Sequence, residues 1–111
     1  MHTVVETRAY LRAAADAGMG EDERAAVVDA VAANPEIGDR IAGTGGCRKF
    51  RVRRPGTGKS GGYRVVAFFS GETIPAFLIT VFGKGEKANL TKAERNGLAM
   101  LSKQLIETYG T

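Results

Sequence analysis

The sequence predicts an α+β fold: a small antiparallel sheet with two N-terminal helices and one C-terminal helix, in the order β-α-α-β-β-β-α. Three observations carry this. Apolar residues recur at helical spacing near both ends of the chain, three β-type segments lie between them, and no β-α alternation calls for a doubly wound parallel sheet. With 111 residues, 43% of them hydrophobic and 25% charged, the chain has the balance of a globular protein. A single domain spanning residues 1–111 is expected, since no repeat, linker or low-complexity stretch divides it.

The elements follow in order. His2 to Glu6 is short and rich in β-branched residues, as a strand requires. Thr7 then stands as the N-cap of a helix carrying Tyr10, Leu11, Ala14 and Ala15. The run Asp16-Ala17-Gly18-Met19-Gly20 breaks it. A second helix opens on Glu21, Asp22 and Glu23, which suit the positive end of the helix dipole, and Asn34-Pro35 stops it. Gly43-Thr44-Gly45-Gly46 forms a turn before strand segments at about residues 47–54, 62–70 and 74–83, whose connections suit an antiparallel meander. Alternation along the second of these puts Tyr63, Val65, Ala67 and Phe69 on one face and Arg64, Val66 and Phe68 on the other. In the third, Phe77, Ile79 and Val81 are expected to oppose Leu78, Thr80 and Phe82. Thr91 and Glu94 make a capping box for the last helix, whose buried stripe is expected to be Leu98, Leu101, Leu105 and Tyr109, ending at Gly110.

The formal charge of +4 conceals a strong asymmetry. Residues 1–39 hold three bases and eight acids, and residues 40–71 hold eight bases and no acid. The remaining residues, 72–111, hold five bases and four acids. A surface so strongly positive attracts polyanions. In Cys47-Arg48-Lys49-Phe50-Arg51-Val52-Arg53-Arg54, alternation places Lys49, Arg51 and Arg53 together, opposite Phe50 and Val52. Three cations in a row repel one another, a cost relieved when an anion lies over them.

Several chemistries are excluded. The single cysteine, Cys47, and the single histidine, His2, cannot build a disulfide within the chain or a Cys/His zinc site. A Cys-His or Ser-His-Asp catalytic group would need that terminal histidine, so Cys47 reads as a small buried side chain and His2 as a frayed terminal residue. The positive region has no paired carboxylates for two-metal phosphodiester chemistry, so a nuclease here would work without a metal, and no cofactor is expected. Gly56-Thr57-Gly58-Lys59-Ser60 is not a nucleotide-triphosphate loop: Arg53 stands where the pattern needs glycine, and strand-like Tyr63-Arg64-Val65-Val66 follows instead of a helix. No 18-residue apolar run or secretion-signal layout is present, so the chain reads as cytoplasmic, without a membrane partner.

Three blocks together, Gly43-Thr44-Gly45-Gly46-Cys47-Arg48-Lys49-Phe50-Arg51, Pro55 through Val65, and Val81-Phe82-Gly83-Lys84-Gly85-Glu86-Lys87-Ala88-Asn89-Leu90-Thr91, with Asn34 to Asp39 before them, resemble the RelE/HigB-type toxins of bacterial type II toxin–antitoxin systems. The resemblance spans nearly the whole chain. It implies a compact α+β toxin that enters the ribosome, cleaves messenger RNA and is held inactive by a cognate antitoxin. In such a metal-free ribonuclease the RNA 2′-hydroxyl attacks its own phosphate, and the protein aligns the strand and neutralises developing charge. Lys49, Arg51 and Arg64 are the expected central cations, with Arg48, Arg53, Arg54, Lys59, Lys84 and Lys87 holding RNA. Relatives often carry tyrosine at the position of Phe82, which keeps a stacking surface and lacks the hydroxyl.

Two other functions fit the same residues. One is a gyrase-poisoning toxin of the related ParE group, which needs no phosphate-cleaving constellation. The other is a non-catalytic RNA- or ribosome-binding module. In either toxin reading, an acidic or amphipathic element of a separate antitoxin is expected to cover the basic face or the neighbouring helices.

Overall fold

The computed structural model describes residues 2–53, 62–83 and 90–110. Its elements are β1 (Val4–Glu6), α1 (Arg8–Asp16), α2 (Glu21–Ala33), β2 (Asp39–Arg40), β3 (Cys47–Arg53), β4 (Gly62–Phe68), β5 (Ala76–Gly83) and α3 (Lys92–Tyr109). The architecture is α+β, with a five-stranded sheet in the order β1-β5-β4-β3-β2. Strands β2 to β5 form the expected antiparallel meander, enlarged by the two-residue β2. At the other edge β1 lies parallel to β5, joined to it through α1, α2 and the meander β2 to β4.

The helix caps act as their side chains dictate. Thr7 accepts from the Tyr10 amide at 3.1 Å, and its own hydroxyl donates to the Leu78 carbonyl at 2.6 Å, fastening the start of α1 to β5. Gly20 offers no side chain to α2, but Glu23 Oε1 accepts from its amide at 2.9 Å. At α3 the full box forms: Thr91 Oγ1 accepts from the Glu94 amide at 3.1 Å, and Glu94 Oε1 from the Thr91 amide at 2.8 Å.

The sheet is buried on both faces. One face packs Phe50, Tyr63, Val65, Ala67, Leu78 and Val81 against Tyr10, Ala14, Val27 and Val31 of α1 and α2. The other packs Cys47, Val66, Phe68, Phe77, Ile79 and Phe82 with Leu98 of α3. Burial on both faces is why β4 reads as almost continuously apolar.

Three local expectations are corrected by the packing. First, β5 does not keep a simple alternation. Val66 pairs with Thr80 while Ala67 pairs with Leu78, so Ile79 is the extra residue of a β-bulge. Past the bulge the parity changes: Val81 joins Leu78 on the α1/α2 face, and Phe82 joins Phe77 and Ile79 on the α3 face. Second, His2 is not frayed. Its amide donates to the Ala32 carbonyl at 3.0 Å, Nε2 lies 2.8 Å from the Ile74 carbonyl, and its ring meets Phe69 edge-on at 5.0 Å. Third, the α3 stripe is narrower than four residues. Leu98 and Ser102 are buried, Leu101 and Leu105 are half-buried, and Tyr109 is 51% exposed while leaning on Phe77.

Gly43 to Gly46 is more than a turn. Thr44 is fully buried, its hydroxyl donating to the Ile41 carbonyl at 2.7 Å and accepting from the Cys47 amide at 3.2 Å. Gly46 has φ +138, and a Cβ there would meet the Phe68 ring at 2.9 Å. The turn thereby seats the start of β3 under α3, with Cys47 Sγ 3.4 Å from Ser102 Oγ.

Candidate nucleic-acid interface

The basic face is built by register. Across β3, β4 and β5, Arg51 stands directly opposite Arg64, and Arg64 directly opposite Phe82. Directly opposed side chains have Cβ atoms about 4.5–5.5 Å apart, so the two guanidiniums and the ring form one continuous row. Arg51 is exposed, Arg64 half-buried and Phe82 buried to 7% exposure. The neighbouring row is Lys49 opposite Val66, followed by Thr80, with Lys49 half-buried. Arg53 lies opposite Gly62 at the exposed end of β3. Gly62 has a steric reason: a Cβ there would lie 2.7 Å from the Val52 carbonyl oxygen.

The bulge at Ile79 is what completes the row. With uninterrupted alternation from Phe77, position 82 would face α1 and α2, and an aromatic ring would be missing beside Arg64. The ion pairs among the described residues are Glu6 with Arg24 at 3.0 Å and Glu36 with Arg48 at 3.6 Å. Neither includes Lys49, Arg51, Arg53 or Arg64. Like charges directly opposed across strands are destabilising, so the row is costly in isolation and suited to an anion laid over it. Arginine forks bind phosphate oxygens in pairs, and the Phe82 ring adds an apolar border.

Arg48 has a different setting. By alternation it faces away from Lys49 and Arg51, and its guanidinium donates to the carbonyls of Glu36 at 2.9 Å and Gly38 at 3.2 Å. The sequence-based expectation grouped it with RNA-holding cations. In the structure its guanidinium fastens the segment between α2 and β2. Arg54, Lys59, Lys84 and Lys87, expected to hold RNA, lie outside the described residues.

The residue that periodicity passed over is Asp39, which stands opposite Lys49 in the β2–β3 pair. Its strand is two residues long, too short for any alternation to show. Among the described residues no group of three or more His, Cys, Asp or Glu side chains is placed to hold a metal ion. Burial pushes the Cys47 thiol pKa up, opposed by its hydrogen bonds to Ser102 and Thr44, which keeps the group a neutral core side chain. No described helix is long and apolar enough to cross a membrane.

A two-faced sheet with helices on both sides and an arginine-rich row at one end defines a small α+β protein. The chain matches the family model of the RelE toxin of the RelE/RelB toxin–antitoxin system over residues 3–110, and it belongs to that family. It is therefore the toxin component of a toxin–antitoxin pair, whose protein partner is an antitoxin.

Proposed function

We propose that the protein inhibits translation as a ribosome-dependent messenger RNA endoribonuclease. The observation that supports this reading most is the single row Arg51, Arg64 and Phe82, with Lys49 beside it. The row carries fixed positive charge where a scissile phosphate gathers negative charge. In-line attack by the RNA 2′-hydroxyl needs the nucleotide held in an extended geometry and the phosphorane charge neutralised. Arg51 and Arg64 bind the two non-bridging oxygens. Lys49 adds positive charge beside them, and Arg53 extends the cationic track along the strand. The Phe82 ring lies buried in the core on the α3 side and carries no hydroxyl, so proton transfer belongs to other groups. Binding within the ribosome supplies the messenger in a defined frame, and the antitoxin keeps the toxin idle until it is released.

The test is single-turnover cleavage of a short messenger on programmed ribosomes. The doubly substituted protein, Arg51→Ala with Arg64→Ala, should lose at least about a hundredfold in rate while unfolding with the wild-type cooperativity. Undiminished cleavage by that variant contradicts the reading. Growth arrest with DNA damage and intact messengers would favour a gyrase poison instead.

A further inference from the structure

We infer that Asp39 is the general base of this site, the group that takes the proton from the attacking 2′-hydroxyl; the inference rests on the nuclease reading above. Among the described strand residues, Asp39 is the only carboxylate that register places on the basic face. The other acidic strand residue, Glu6, is paired with Arg24. Asp39 stands directly opposite Lys49, and the next residue of β3 on that face is Arg51. A diagonal cross-strand pair of this kind is separated by about 7–8 Å, the spacing across which one phosphate and its ribose fit.

The carboxylate is fixed in place beyond what a two-residue strand achieves by its own ladder. Arg48 grips the carbonyls of Glu36 and Gly38, the residues just before it. Asn34 accepts from the Glu36 amide at 3.2 Å through its side chain and from the Ile37 amide at 3.0 Å through its carbonyl. Gly38 takes φ +85 and packs so closely on the Lys49 carbonyl that a Cβ has no room. On its far side, the Ile41 amide donates to the Cys47 carbonyl at 2.9 Å. Asp39 is thus held between two fastened points, solvent-accessible and facing a cation, as a preorganised base must be.

The chemistry of the row calls for such a group. The guanidiniums of Arg51 and Arg64 neutralise charge without accepting a proton, whereas a carboxylate oxygen can take one. The chain's histidine is engaged with Ile74 and Phe69, away from the row. In the step assigned here, the 2′-oxygen gives its proton to an Asp39 carboxylate oxygen and forms a bond to phosphorus. The bond from phosphorus to the 5′-oxygen breaks, and that oxygen takes a proton from water. The resulting hydroxide removes the proton from Asp39, leaving a 2′,3′-cyclic phosphate, a 5′-hydroxyl and the starting carboxylate.

The test compares wild type, Asp39→Asn and Asp39→Glu in single-turnover cleavage on programmed ribosomes. It uses an all-oxygen messenger and one with sulfur replacing the 5′-bridging oxygen at the mapped cut. Asp39→Asn should lose about a hundredfold or more with the normal linkage, stay equally impaired with the sulfur leaving group, which needs no protonation, and bind ribosomes as wild type does. Asp39→Glu should retain part of the rate. Asp39→Ser serves as a second removal if the Asn variant melts early. Cleavage by Asp39→Asn within about threefold of wild type, or its rescue by the sulfur substrate, overturns the assignment. If wild type leaves the messenger whole, the nuclease reading itself falls, and this assignment with it.

Discussion

Arg51 and Arg64 face each other across β3 and β4 as directly opposed cations, on the sheet face that α3 flanks. A fold selected for stability alone would place an acid at one of the two positions. Substituting Arg51 with threonine, a good strand former, should therefore leave the protein as stable or more stable, by about 0.2–1 kcal/mol, while toxicity is lost. Urea unfolding of the two proteins checks the first half, and growth on induction the second.

Arg48 should behave in the opposite way. Its guanidinium serves two carbonyls and a carboxylate and is 17% exposed, so Arg48→Ala should cost about 1–3 kcal/mol. Arg48→Lys should recover little, because one ammonium cannot reproduce the fork. A cleavage defect in both variants would accompany the loosened β2 segment. Thermal unfolding together with cleavage rates separates this from a simple RNA contact, which would leave stability unchanged.

Two glycines give a matched contrast. Gly38→Ala forces a left-handed residue into the Lys49 carbonyl and should destabilise by about 2–4 kcal/mol. Gly97→Ala places a methyl into open space on α3 and should stabilise by about 0.5–1 kcal/mol. Chemical denaturation of both variants reads the difference in sign.

Tyr10 is fully buried, with its hydroxyl donating to Met19 Sδ at 3.7 Å. Burial, and then the Glu6 charge, push its pKa from 10.0 up to about 12. The folded state thus binds the phenolic proton more tightly than the unfolded chain. That contribution is complete below pH 10 and is lost as pH rises from about 10 towards about 12. The difference in phenolate absorbance between wild type and Tyr10→Phe should appear only above the ordinary tyrosine range, and the Phe variant should lose less stability there.

Much of this fold is legible from local chemistry. Thr91 with Glu94, the acids opening α2, and the alternation of Tyr63 and Val65 against Arg64 and Val66 are short-range signals, and each appears in the structure in its expected role. The departures are products of tertiary packing. No propensity marks Ile79 as the extra residue of a bulge, yet that bulge carries Phe82 to Arg64. Arg48 reads like any cation in a basic run until the Glu36 and Gly38 carbonyls arrive beside it. His2 reads as a chain end until Ile74 and Phe69 receive it, and Asp39 belongs by sequence to an acidic stretch although register sets it against Lys49.

The most direct measurement is the mapping of messenger 5′ ends after induced expression in a bacterial host, with Arg51→Ala, Arg64→Ala protein expressed to the same level as control. Growth arrest with new ends inside translated frames, carrying 5′-hydroxyls, is the expected result, with both effects absent in the control. Arrest with intact messengers, or new ends unchanged by the double substitution, would rule out cleavage through Arg51 and Arg64.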